Sequence, residues 1–287
     1  MNRHGTGTGR ASLAMITGLA AFMLAPIMAF VKIEWAAAPL SIFLFFCLTA
    51  PFYTRRSFFL PIVSRGNADG PVVAVTFDDG PDPITTGPLL HLLKRHAVKA
   101  AFFVTGINAE KNGDLIGEIL AQGHDIGNHS YQHDPFLMLR PSGTLAREID
   151  ATQTVLHRFG ISPVAFRPPV GITSPKLADV LKDRGLYCLT FSCRANDFGN
   201  RRIHGLAGRI LKKVRPNDII LLHDVRPRPD TDADLWLNEV DDILSGLKHK
   251  GLQVRPLAEL IGKPIMTRVY HNELVKKVEN EPKTTAS

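Results

Sequence analysis

The stretch Val72-Val73-Ala74-Val75-Thr76-Phe77-Asp78-Asp79-Gly80-Pro81 is an apolar, β-branched run that stops at two carboxylates and a turn. The same pattern recurs down the chain. Asp125-Ile126-Gly127 leads to His129-Ser130-Tyr131-Gln132-His133, and Val164-Ala165-Phe166 leads into Arg167-Pro168-Pro169-Val170-Gly171. Leu186-Tyr187-Cys188-Leu189-Thr190-Phe191-Ser192 precedes Arg194, Asp197 and Phe198, and Ile219-Ile220-Leu221-Leu222 precedes His223-Asp224. Strand-like runs fall near residues 72–77, 100–104, 125–128, 164–167, 186–192, 218–222 and 252–255. Helical stretches fall between them, near 85–97, 112–122, 142–158, 175–184, 203–213 and 236–249. Such alternation predicts a parallel sheet wrapped by helices, with sites gathered at the carboxyl ends of the strands. Seven strands over about 190 residues suit a distorted, incomplete (β/α) barrel.

The polar strand ends contain the ingredients of a metal-assisted hydrolase. Imidazole nitrogen and carboxylate oxygen hold zinc, and a catalytic site keeps one position open for water. His129 and His133 stand four residues apart and can face one ion if their segment turns helically; Asp79 can add an oxygen ligand. Asp78 is then left beside the ion, free to take a proton from water. Taken singly, Asp-Asp-Gly-Pro is a common turn and His-x-x-x-His a common feature of a wet helix face. Their shared position after apolar runs joins them. The ligand types suit zinc, with cobalt and nickel as further choices. His91, His96, His157 and His249 fall in helical stretches and read as surface positions; His124, after Gly123, reads as structural.

Across roughly residues 70 to 260 the chain resembles the polysaccharide deacetylases with a NodB-type domain, carbohydrate esterase family four, and it touches all five motifs of that family in order. The resemblance implies the incomplete barrel, Asp78 as general base, and Asp79, His129 and His133 as metal ligands. It further implies that Arg167 orients the base, that a backbone N–H near Val170, in the segment with Pro169, helps hold the oxyanion, and that Leu222 and His223 supply a pocket wall and the general acid. The fourth motif departs from the usual Asp-x-x-Asp-Trp: Arg194 and Phe198 replace the first Asp and the Trp, while Asp197 remains. If Asp197 pairs with His223, proton delivery survives, but Phe198 lacks the indole N–H and covers less of a sugar face.

Amide hydrolysis needs a strong nucleophile, a place for the oxyanion and a proton for the leaving amine. A carboxylate base and an imidazolium acid, each with its own partner, satisfy the first and last of these. Arg167 is expected to keep Asp78 ionised, and Asp197 to keep His223 charged. On the residues alone, other readings stay open: a capping role for Arg167, a turn role for Asp197, a satisfied strand-end histidine at 223.

The first 65 residues hold six basic side chains against one acidic, Glu34, and so account for +5 of the formal +7. Residues 66 to 287 carry 28 basic and 26 acidic side chains. The high pI therefore belongs to the N-terminal region and makes no case for a nucleic-acid partner. Two uncharged runs, 11–31 and 35–54, are each long enough to cross about 30 Å of hydrocarbon. A signal peptide is the alternative, but the first run is long and a second follows at once. We expect a two-span membrane anchor over 1–65, with Ser57 to Val63 as an interfacial connector. The NodB-type domain is expected over 66–262 and a polar tail over 263–287. Arg3 and Arg10 precede the first run and Arg55, Arg56 and Arg65 follow the second, which places the catalytic domain in the cytoplasm by the positive-inside rule. Three cysteines give no disulfide framework.

These readings predict a membrane-bound hydrolase that removes N-acetyl groups from a glycan, with a lipid-linked sugar and the bilayer as partners. An O-deacetylase or a deformylase of a lipid-linked sugar, or a catalytically silent carbohydrate-binding membrane protein, would use the same frame.

Overall fold

The computed structural model describes residues 11–53, 55–227 and 233–269. Two apolar helices open it, α1 (Leu13–Val31) and α2 (Ala37–Thr49), joined by a turn in which Lys32 and Glu34 pair at 2.8 Å. Ser12 caps α1 by accepting the Met15 N–H at 3.2 Å. The apolar stretches Leu13–Val31 and Ile33–Phe52 are long and apolar enough to cross a membrane. Their large side chains, Phe22, Met23, Phe30 and Phe45 among them, point outward.

The sheet strands are β1 (Ile62–Val63), β2 (Val72–Asp78), β3 (Ala101–Val104), β4 (Asp125–Asn128) and, beyond the short β5 (Ile161–Pro163), β6 (Ala165–Phe166). They continue with β7 (Tyr187–Leu189), β8 (Cys193–Arg194), β9 (Ile219–His223) and β10 (Gln253–Val254). All pair in parallel, in the order β1-β7-β6-β4-β3-β2-β9-β8, with β10 also on β2. Because β7 lies beside β6 while its continuation β8 lies beside β9, one run bends the sheet round into an incomplete barrel. The crossover helices are α3 (Thr86–Arg95), α4 (Gly106–Lys111), α5 (Gly113–Ala121), α6 (Ser142–His157), α7 (Pro175–Lys182), α8 (Leu206–Leu211) and α9 (Ala233–His249). The short α10 (Leu257–Ile261) follows β10, and β11 (Met266–Arg268) pairs antiparallel with β5.

Strand alternation divides the core in two. Val73, Val75 and Phe77 of β2 join Ile220 and Leu222 of β9 in the outer cluster beneath the helices, with Leu89, Leu93 and Trp236. Val72 and Ala74 join Phe103, Ala165, Ile219 and Leu221 inside the barrel, where Leu257 and Leu260 of α10 also pack. The inward parity of β2 runs 72, 74, 76, 78, so Asp78 ends an interior row that is apolar at its base.

Backbone pairing of the barrel reaches before residue 66 and beyond residue 262. Ile62 pairs with Cys188 and Val63 with Leu189, and the Thr190 N–H donates to Val63 O at 2.8 Å. Arg65 bridges Asp218, and the Gly66 N–H donates to Asn217 O at 2.8 Å. The segment read as a connector is thus the seam strand that fills the gap between β7 and the chain entering β9. Leu60 is buried with Leu137, Phe166 and Leu177, so this segment packs onto the domain. At the other end, β11 carries pairing beyond residue 262; the tail from Tyr270 lies outside the described residues.

Candidate active site

Asp78, His129, Arg167 and His223 meet at one end of the barrel because strand parity and register agree. Asp78 pairs in register with Phe103 and with His223, and Asn128 pairs with Phe166, so His129 and Arg167 each follow one position above. Asn128 points outward, where its amide donates to Ile149 O at 3.0 Å; His129 therefore points in. Likewise Phe166 is outward and Arg167 inward.

Arg167 is fully buried. Its guanidinium donates to Asp78 Oδ1 at 2.5 Å, to Thr76 Oγ1 at 2.9 Å and to Thr190 O at 3.1 Å, and lies 3.9 Å over the Phe103 ring. Phe103 reaches that place only because residue 127 is glycine; a Cβ there would sit 2.4 Å from the ring. Burial lowers the proton affinity of Arg167 and the Asp78 carboxylate counters it. The arrangement fixes Asp78 by one oxygen and leaves Oδ2 facing His129 Nε2 at 3.7 Å.

Asp79, His129 and His133 converge beside it, with one ligand atom of each within 4.8 Å of the others. Asp79 Oδ1 lies 3.1 Å from His133 Nε2 and 3.4 Å from His129 Nε2, yet is buried without a hydrogen-bond donor. An orphaned carboxylate oxygen facing two imidazoles is the donor set a divalent cation satisfies. The His129 Nδ1–H donates to Arg167 O at 2.7 Å, which turns Nε2 and its lone pair toward Asp79. Burial pushes the Asp79 carboxyl up, but the surrounding imidazoles reverse this and hold it well below its ordinary range. Burial, helped by the neighbouring His129, lowers His133 and favours the neutral form a metal ligand needs.

The expected helical turn between the two histidines is absent. The segment is a loop in which Ser130 (φ 66°) and His133 (φ 55°) are left-handed, and those two reversals bring the imidazoles to a centroid separation of 4.9 Å. Glu148 of α6 holds the loop by accepting the Tyr131 and Gln132 N–H groups at 3.0 and 2.8 Å.

A family model described as polysaccharide deacetylase matches residues 65–189. The chain is 31% identical over 209 residues to a chitooligosaccharide deacetylase of Sinorhizobium fredii, covering 70% of this chain and 97% of the relative. The chain belongs to the polysaccharide deacetylase family. A peptidoglycan-N-acetylglucosamine deacetylase of Bacillus cereus is 29% identical over 192 residues, 66% of this chain and 88% of that protein. The crystal structure of the Bc1960 peptidoglycan N-acetylglucosamine deacetylase, also 29% identical, superposes with a TM-score of 0.65 over 71% of this chain and 94% of that one. A family 4 carbohydrate esterase from Streptomyces lividans, 27% identical, gives 0.59 over 69% and 98%. Membership makes this polysaccharide deacetylase a hydrolase of carbon–nitrogen bonds.

On the opposite wall of the deacetylase site, His223 Nδ1 lies 2.7 Å from Asp197 Oδ2. Burial lowers its affinity for a proton, but the hydrogen bond and charge of Asp197, with the charges of Asp79 and Asp78, raise it to about 9. Asn200, left-handed and buried, donates to the carbonyls of His223 and Val225 at 2.9 and 2.7 Å. Arg209 holds the same loop through Ala195 O at 3.0 Å. No motif in the sequence announced Asn200, Arg209 or Thr76 as supports, since each acts through a distant carbonyl or hydroxyl. Asp224, next to His223, is buried and accepts from Thr85 and Thr86 at 2.8 and 2.6 Å; burial raises its carboxyl to about 7.

The four expected substrate contacts sort differently. Val170 (φ 52°) and Phe198 (φ 55°) stand at the mouth, 48% and 68% exposed. Pro169 is buried, so only Val170 of that segment opens to solvent. Leu222, expected as a pocket wall, is instead fully buried in the outer cluster, because parity turns it away from the site that His223 faces. Leu221 occupies the interior side. His124 is structural as expected, accepting the Ala100 N–H at 3.1 Å, with burial lowering it to about 4.

Proposed function

We propose that this polysaccharide deacetylase is a membrane-anchored, metal-dependent enzyme that removes N-acetyl groups from a sugar of a lipid-linked glycan. The observation that carries the chemistry is the convergence of an Arg-fixed carboxylate, an Asp-His-His ligand set and an Asp-paired histidine at one barrel end. Asp79, His129 and His133 would hold the ion, zinc being the first choice and cobalt or nickel fitting the same ligands. Such an ion supplies Lewis acidity, lowering the pKa of water toward about 7 and polarising an acyl oxygen.

Asp78 accepts the proton of the attacking water through Oδ2, while Arg167 keeps the carboxylate aimed. The Val170 N–H lies in the segment that faces the oxyanion. His223 delivers its Nε2 proton to the departing amine, and Asp197 holds the ring by Nδ1. Phe198 offers an apolar face to the sugar, as Val170 does across the mouth. The relatives act, by their names, on peptidoglycan N-acetylglucosamine and chitooligosaccharides, which supports an N-acetylated sugar here. Residues 11–31 and 35–54 form the two spans, and the positive flanks put the catalytic domain on the cytoplasmic side.

The test is acetate release from N-acetylglucosamine oligomers by the full chain, stripped with a chelator and reloaded with zinc. Activity should vanish and return with the metal. Asp78→Asn should bind metal yet lose about 10² to 10⁴ in rate. Turnover that survives either treatment overturns the mechanism. Labelling of an introduced domain-surface cysteine by an impermeant reagent in intact cells would overturn the cytoplasmic placement.

A further inference from the structure

Outside the two apolar helices and the residues that directly follow them, five large hydrophobic side chains are exposed among the described residues: Ile84, Phe136, Leu139, Val170 and Phe198. All five lie on loops at the carboxyl edge of the sheet. Ile84 follows β2, Phe136 and Leu139 follow β4, Val170 follows β6 and Phe198 follows β8. Among the described residues, the amino edge and the outer helix faces carry none. Apolar side chains scattered singly over a surface need no explanation, but their restriction to one edge marks an interface.

That edge is tied to the apolar helices. The Thr173 N–H, in the loop that carries Val170, donates to Pro51 O at the end of the second apolar stretch. Leu60 is buried against Leu137 and Met138, the two residues between Phe136 and Leu139. Burial of that central pair turns the flanking Phe136 (61% exposed) and Leu139 (80% exposed) outward on a fixed turn. Charge on these loops leans basic. Arg194, Arg201 and Arg202 are exposed, Arg140 pairs with Asp134 at 2.7 Å, and Asp82 is half-buried. An apolar rim with exposed arginines on a neighbouring loop suits the boundary between acyl chains and anionic headgroups.

We propose that the mouth of the barrel lies against the bilayer, with Phe136 and Leu139 inserted at the headgroup level and the site opening onto the lipid surface. This rests on the membrane-anchor reading above. It means that a sugar on a lipid carrier enters the site from the membrane plane, already confined at high effective concentration.

Tryptophan fluorescence in the full chain tests it. Native Trp35 lies in the turn between the helices and Trp236 is buried in the domain, so a Trp35→Phe background carrying Leu139→Trp reports the rim. The protein is placed in vesicles of phosphatidylcholine and phosphatidylglycerol brominated near the glycerol end of the chains. The expected result is loss of most Leu139→Trp emission, with Lys250→Trp, at the amino edge, unquenched. An unquenched Leu139→Trp overturns the proposal, as does equal quenching of Lys250→Trp. Quenching of Trp35 in the unmodified protein separates the two readings: if Trp35 is quenched and Leu139→Trp is not, the anchor stands and the docked mouth falls. Should Trp35 itself escape quenching, both fall. Phe136→Ser with Leu139→Ser should raise KM for a vesicle-borne N-acetylglucosaminyl lipid while sparing a soluble N-acetylglucosamine oligomer; equal effects on the two substrates would also overturn it.

Discussion

Asp197→Asn isolates the contribution of one carboxylate to proton delivery. His223 sits with Nδ1 2.7 Å from Asp197 Oδ2, and its proton affinity rises from the ordinary 6.5 to about 9. The displacement corresponds to about 3 kcal/mol, at about 1.4 kcal/mol for each tenfold change. Burial works in the opposite direction and stays in the variant, while the charge of Asp197 does not. Asn can still accept from Nδ1–H, so the ring keeps its place, but the imidazolium loses its nearest counter-charge. The proton affinity of His223 should then fall to 6.5 or below. The acid form is the active one, so turnover is present below this value and lost as pH rises through it. The basic limb of the pH–rate profile should therefore move to lower pH by about two pH units, with turnover falling by up to about a hundredfold above both limbs. A cation held at Asp79 would oppose the help from that carboxylate and lower both limbs together, leaving their separation. Stability follows the same sign. A raised affinity stabilises the native protein below about 6.5, and that contribution fades as pH climbs toward 9. The assay is acetate release against pH for both proteins, with thermal melts as the folding control. An unmoved basic limb in a folded Asp197→Asn protein would refute His223 as the proton donor.

Other perturbations test the remaining walls. His129→Ala removes one of the three proposed ligands and should reduce bound divalent metal and activity together; stoichiometric metal with full turnover would exclude the triad. Arg167→Ala leaves Asp78 buried without its partner and should cost about 3–5 kcal/mol, read as a fall in melting temperature. A loss under 1 kcal/mol would mean water replaces the guanidinium. Gly80→Ala would bring a Cβ to 2.6 Å from Asp224 Oδ2, and with Asp224 held by Thr85 and Thr86 the Asp78-Asp79 loop is expected to give; zinc affinity measured by competition with a chelator should fall by tenfold or more. Unchanged affinity would mean that Asp224 moves instead.

The chain's local chemistry already specified the barrel and the location of its site. Apolar runs of four to seven residues alternating with amphipathic stretches have few ways to bury themselves other than a parallel sheet under helices, and most of these runs lead into polar residues that the barrel presents. Asp78, Asp79, His129, Arg167 and His223 were legible for that reason. The inner and outer rows of a strand are also written in its period of two, yet assigning Leu221 and Leu222 required knowing which row faces in, and that depends on the curvature of the whole sheet. The histidine pair shows a second limit. Spacing of four suggests a helical turn, whereas Glu148 of α6 stabilises a loop with two left-handed residues that no local propensity favours. Ile62 to Gly66 shows a third, because a short, mildly polar segment carries no strand signal until β7 and the entry to β9 offer it partners. Only the tertiary structure could gather Ile84, Phe136, Leu139, Val170 and Phe198 onto one edge, since burial is a property of the packed molecule and their positions along the chain span more than a hundred residues.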